Sequence, residues 1–195
     1  MVNAPESMLR ATQLPEGDFV RIVLEQHERI RDLFGQIHNV TGKRKQDTFD
    51  ELRRLLAVHE AAEEMIVRPM TRAATGGGSV ASARNHEEHM AAHLLADLEK
   101  TDISSETFSA VFSEFEKKVV EHAEHEEEEE LPLILKTRNE QQRVWLGKAL
   151  QAVETIAPTH PHPTSAGSTT AQYVLGPFAS LLDHARDALK KVMPA

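Results

Sequence analysis

Two stretches of this 195-residue sequence repeat one arrangement of histidine and glutamate. His59 is followed by Glu63, then Glu64, and ten residues on by Pro69. His122 is followed by Glu126, Glu127 and Pro132 at the same offsets. On a helix, residues four apart share a face with Cβ atoms about 6 Å apart. Each pair therefore aims an imidazole and a carboxylate at one point. Two such pairs on facing helices bring four nitrogen and oxygen donors together, the donor set of a first-row transition metal. A third cluster, His86, His89 and His93, shares one helix face at three- and four-residue steps, and His89 and His93 have the chelating i, i+4 spacing. The chain has eleven histidines but one Trp and one Tyr. It has no cysteine, which excludes disulfides, thiolate metal sites, iron–sulfur clusters and cysteine nucleophiles.

Helices must position these residues. Phe19, Val23, Ile30, Phe34 and Ile37 recur at helical steps, and Asp18 is a suitable N-cap, which predicts a first helix over 18–40. Thr41 to Lys45 ends it. Leu52, Leu55, Leu56 and Ile66 mark a second helix over 47–71, closed by Pro69 and the run Gly76 to Gly78. A third covers 80–100, and a fourth covers 105–137 with Phe108, Phe112, Phe115 and Val119 as its stripe. No β-alternation of useful length and no Gly-rich phosphate loop is present. The expected fold is all-α: an up-down four-helix bundle over 18–137 with additional C-terminal helices. Residues 1–17 read as a flexible arm, 138–157 as an additional helix, 158–172 as a Pro/Ser/Thr-rich linker, and 173–195 as an amphipathic C-terminal helix.

The apolar stripes are interrupted by polar residues. His27 falls on the first, His59 and Glu63 on the second, His122 and Glu126 on the fourth. A buried unpaired carboxylate costs several kcal/mol, so these positions call for a cation or a proton. A metal held by His27, His59, Glu63, His122 and Glu126 resolves all of them together. His125 and Glu129 have the same spacing but follow Lys118 and Glu121, so they face water. On the third helix the stripe Met90, Leu94, Leu98 lies more than a quarter turn from His86, His89 and His93, which places the imidazoles on its flank. The run Glu126 to Glu130 reads as mostly a solvated face. His160 and His162 read as linker composition, and Tyr173 and His184 carry no assignment.

A lone His on helix one, HEAAE (59–63) on helix two, HMAAH (89–93) on helix three and HAEHEE (122–127) on helix four resemble the hemerythrin or HHE-type cation-binding domain. The resemblance covers roughly residues 18–137. It implies a bundle holding two non-haem iron ions bridged by an oxo or hydroxo group and by carboxylates. By the same resemblance the metal ligands are His27, His59, Glu63, His89, His93, His122 and Glu126, with Glu63 bridging. His93 matches a histidine of the O2-carrying members that many bacterial relatives lack. The second bridging acid is Glu126 or Glu127, and the stripe favours Glu126. Glu60 matches an acid that is a ligand in an iron-sensing relative. No Glu is followed by a His three residues on, so the Glu-x-x-His pattern of ferritin-type sites is missing.

The net charge of −9 argues against nucleic acid as a partner. No apolar run reaches a membrane span, and the first residues lack the apolar core of a signal peptide, so a cytoplasmic protein is expected. Three functions are weighed. The first is a module binding O2, NO or peroxide in oxygen or iron handling or the oxidative-stress response, with a redox partner. The second is a di-iron enzyme decomposing hydrogen peroxide. The third is a metal-free helical protein whose acidic face recruits a partner.

Overall fold

The computed structural model describes residues 9–156 and 177–192, and these contain helices and no strand. The linker residues His160 and His162, and Tyr173, lie outside the described residues. A helical turn over residues 9–12, with Ala11 buried, precedes α1, Phe19–Asn39. Asp18 caps α1 as its side chain predicts: Oδ1 accepts from the Val20 N–H at 3.0 Å. Val40, in extended conformation, ends it.

The second helix starts earlier than the apolar pattern suggests. α2 runs Gly42–Ala62, so the basic segment read as a break is already its first turn. It continues through a π-helical turn, Glu63–Val67, into α3, Arg68–Ala73. α4 spans Gly77–Leu98. Gly77 is tightly seated: a Cβ there would lie 1.7 Å from the Thr71 carbonyl oxygen, so only glycine lets α4 begin against the end of α3. α5, Glu106–His125, is capped by Ser105, whose Oγ accepts from the Phe108 N–H at 3.0 Å. It too passes through a π turn, Glu126–Glu130, into α6, Leu131–Thr137. α7, Glu140–Ile156, and α8, Pro177–Val192, follow.

Cross-helix contacts fix the directions. Arg29 meets Glu51 while His27 meets His59, so α1 and α2 are antiparallel. Phe34 meets Phe112 while His27 meets Glu127, so α5 also opposes α1. Glu87 meets His122 and Arg84 meets Glu129, so α4 opposes α5. The result is the expected up-down-up-down bundle. One end is dry and aromatic, with Phe34 5.3 Å from Phe112 and Phe49 5.3 Å from Phe108 by ring centroids. About two turns along, His27, His59 and His122 replace the aromatics.

The last two helices belong to the same core. α8 lies against α2 and α7 and buries Leu181, Leu182, Ala185 and Leu189. Arg186 of α8 bonds Glu64 of the first π turn at 2.6 Å. α7 packs on α1, where a Cβ on Gly147 would lie 2.0 Å from the Gly17 carbonyl oxygen. Arg143 Nε donates to Asp18 Oδ2 at 2.7 Å. No described helix is long and apolar enough to cross a membrane.

Candidate metal centre

Each π turn begins at the glutamate of a His-x-x-x-Glu pair and carries its own backbone signature. The Arg68 N–H bonds the Glu63 carbonyl, and the Leu131 N–H bonds the Glu126 carbonyl, both across five residues. The proline one residue later, lacking an N–H, sits where the helix restarts. This explains the matched proline offset. The extra residue per turn also rotates the following side chains inward. That is why the glutamate run is not mostly solvated: Glu126, Glu127 and Glu130 are buried and only Glu128 and Glu129 are exposed. Each buried one has partners. Glu127 takes His27 and Arg31; Glu130 takes Arg68 and Thr71.

The donor atoms form two overlapping groups. His27, His59, Glu63 and Glu126 converge in one; Glu63, Glu88, His122 and Glu126 converge in the other. All but Glu88 are buried, and its side chain is only 16% exposed. Glu63 and Glu126 serve both groups, one oxygen to each side. On the first side, Glu63 Oε1 is 2.7 Å from His59 Nε2, and Glu126 Oε2 is 3.5 Å from His27 Nε2. On the second, Glu63 Oε2 and Glu126 Oε1 each lie 3.5 Å from His122 Nε2.

The three imidazoles are oriented from outside. His27 Nδ1 lies 2.8 Å from Glu127 Oε1, His59 Nδ1 2.9 Å from Gln26 Oε1, and His122 Nδ1 3.0 Å from Glu87 Oε2. With acceptors there, each ring carries its proton on Nδ1 and turns the Nε2 lone pair inward. Gln26 is held in turn by Glu154 of α7, which accepts from its amide nitrogen at 2.5 Å. His27 Nε2 and His59 Nε2 face each other at 3.1 Å. Glu63 Oε1, Glu126 Oε2 and His122 Nε2 are buried with no hydrogen-bond partner. Lone pairs of imidazole and carboxylate converge, and a cation is what they lack. The donor set therefore fits a metal.

In the metal-free chain protons take part of that role. Burial opposes charge on His27 and His122, but the surrounding carboxylates prevail and raise both pKa values, that of His122 strongly. Burial lowers the pKa of His59. Burial and the Glu63 charge push Glu126 up to about 8. Glu63 itself is held well below the usual carboxylate range: burial opposes its charge, but the adjacent His59, Glu126 and His122 outweigh it.

The structure thus brings together His27, His59, Glu63, His122 and Glu126. It places His89 and His93 elsewhere, exposed on the outer side of α4 with their Nε2 atoms 3.0 Å apart. Glu88, one residue earlier and about a quarter turn around the helix, points into the cluster instead. Glu127 stands behind His27, and Glu60 lines a cavity beside the centre. His125 is half-exposed and shares Glu87 with His122. Sequence reasoning missed Glu88 and the fully buried Arg68, which contacts Glu63, Glu88, Glu126 and Glu130. We expect a His89→Ala/His93→Ala double variant to keep its full metal content, and Glu88→Ala to lose part of it. Elemental analysis of the purified chains checks this.

An antiparallel helical bundle with histidines and shared carboxylates converging in its core defines a helical metal-binding class. The chain belongs to the hemerythrin HHE cation-binding domain family, whose family model matches residues 18–134. An uncharacterized hemerythrin-like protein of Schizosaccharomyces pombe is 25% identical over 138 residues, 70% of this chain and 68% of that protein. No solved structure matches the chain.

Proposed function

We propose that this centre holds two non-haem iron ions and binds O2 or a related small ligand, NO or peroxide. The observation that carries the reading is a cavity of about 50 Å³ directly on the donor cluster. His27, His59, Glu63 and His122 line one side; Ile30, Leu56, Ala91, Leu95 and Phe115 line the other. One water needs about 10–15 Å³ of such space, so a two- or three-atom ligand fits beside the donors. Two carboxylates reaching both sides support a pair of ions rather than one. Bound ferrous iron supplies the electrons and the open coordination position that O2 requires.

The residues do the rest. Glu127, Gln26 and Glu87 hold the three imidazoles in the ligating tautomer. The apolar wall lowers the polarity around the ligand position, and the small side chain of Ala91 leaves the space open. Replacing Ala91 by Leu adds about three carbons to that wall. We expect the variant to keep its metal while its affinity for NO, read from the ferrous-nitrosyl spectrum, drops about tenfold or more.

A second reading, peroxide decomposition, is favoured by Glu60. Its carboxyl lines the cavity, and burial with the Glu88 and Glu63 charges pushes it up to about 8. In the metal-free chain it therefore favours its protonated form, and a carboxyl at this place can pass a proton to a small ligand and recover it. Metal analysis and an optical spectrum of protein from iron-supplemented cells, then addition of peroxide, test both readings. About two irons per chain with near-ultraviolet bands supports the centre. Bleaching without turnover supports the binding module, and sustained O2 evolution supports the enzyme. A single zinc, or no metal, overturns the di-iron reading.

A further inference from the structure

The two sides of the donor cluster differ in one respect: a resident cation already faces the second. Arg68 Nη2 lies 3.3 Å from Glu126 Oε1 and 3.8 Å from Glu63 Oε2, and it donates to Glu88 Oε1. One guanidinium nitrogen thus faces all three carboxylate oxygens of that side. On the other side, Glu63 Oε1 and Glu126 Oε2 face the imidazoles, His59 Nε2 at 2.7 Å and His27 Nε2 at 3.5 Å, and no guanidinium. A guanidinium cannot shed its charge by losing a proton, so a metal on the second side must repel it or move it.

Arg68 has a place to move. Its Nη1 donates to Glu130, which is fully buried outside the donor cluster and is held by the Thr71 hydroxyl at 2.6 Å. Its Nε is buried without a partner, so a shift toward Glu130 breaks no bond there.

Building on the two-ion reading above, we propose that Arg68 stands in for the second metal ion, so that the two positions fill in order. The His27–His59 side fills first. The Glu88–His122 side fills only as Arg68 withdraws onto Glu130. The arginine neutralises the cluster while one ion is bound and sets the affinity for the next.

The test is a titration of Co²⁺ into the metal-free full chain under exclusion of O2, followed by calorimetry and by the visible cobalt absorption. Wild type is expected to show two events, the second weaker by about a hundredfold. Arg68→Gln is expected to tighten the second event about tenfold or more and to spare the first. Glu130→Gln removes the anchor and is expected to weaken the second event further. Circular dichroism and thermal melting establish that each variant is folded; should Arg68→Gln not fold without metal, Glu130→Gln decides alone. Two indistinguishable events in wild type, unmoved by either variant, overturn the role of Arg68 and leave the two-ion reading intact. One ion per chain in wild type and in both variants overturns both.

Discussion

Replacing Glu63 by Gln is expected to empty both metal positions at once. Glu63 places one oxygen against His59 and the other against His122, so it belongs to both donor groups. An amide offers one neutral oxygen and turns an N–H₂ toward the opposite side, where it faces lone pairs or an incoming cation. The loss in metal affinity should reach about a thousandfold or more, beyond the 10- to 100-fold typical of an outer partner such as Glu127. The stabilisation that metal confers on wild type, about 4 kcal/mol at a thousandfold excess over Kd, should disappear with it. Thermal melts with and without Co²⁺ read this directly: the wild-type Tm rises and the variant's does not. A Glu63→Gln chain that still binds metal as wild type does would place the centre elsewhere.

The metal-free chain is expected to lose stability as pH rises from about 6 to 9. Glu60 and Glu126 sit near 8 and Glu88 near 7, each raised first by burial and then by neighbouring carboxylates. A group whose folded pKa is raised stabilises the fold below its unfolded value, near 4.5, and that contribution fades through the folded one. The loss therefore runs from about pH 4.5 up to the folded value, and about half of it falls above pH 6. His27 and His122, also raised, act with the same sign. Glu63, held low, acts only in the acid range, where its contribution fades as it protonates. His59, lowered by burial, also penalises the acid side, because the fold resists charging it. Arg68 stays charged throughout and damps the carboxylate repulsion without removing it. The net loss should be on the order of 3 kcal/mol. Metal reverses the trend, because its ligands must be deprotonated and its affinity climbs with pH. Urea titrations at pH 6 and 9, with and without Co²⁺, should give opposite slopes. A metal-free chain equally stable at both pH values would contradict the protonated cluster.

Most of this architecture was legible because large apolar residues mark the bundle faces. Phe34, Phe112 and Phe115 announce their stripes, and the polar residues that interrupt those stripes are the ones that converge. Asp18 and Ser105 behave as caps for the same local reason anywhere they occur. The third helix misled because two of the three residues of its apparent stripe lie off its buried face: Met90 is 44% exposed and Leu94 only half-buried, while Leu98 is on it. The face that meets the core reads Gly77, Ala81, Arg84, Glu88, Ala91, Leu95, Leu98, an unbroken alternation of four- and three-residue steps. The small residues on that series carried the signal, and they pointed to Glu88 rather than His89. Arg68 and Glu130 had no such signal. Arg68 follows the first π turn and Glu130 closes the second, and one inserted residue displaces the later positions by about 100° from their α-helical expectation. The repeated proline offset was the visible trace of those turns, but it gave no angle.

Gln26 and Glu154 extend the centre past its apparent border. An amide looks nearly the same after a half-turn, yet the exchange swaps an acceptor for a donor. What keeps the Gln26 oxygen toward His59 is an exposed carboxylate on α7, beyond residues 18–134. With the amide reversed, His59 would have to carry its proton on Nε2 and could no longer offer a lone pair to a metal. A ligand deep in the bundle thus takes its polarity from the solvent boundary. A stretch cut to the family's span would keep every donor in the cluster and lose the part that decides which way one of them faces.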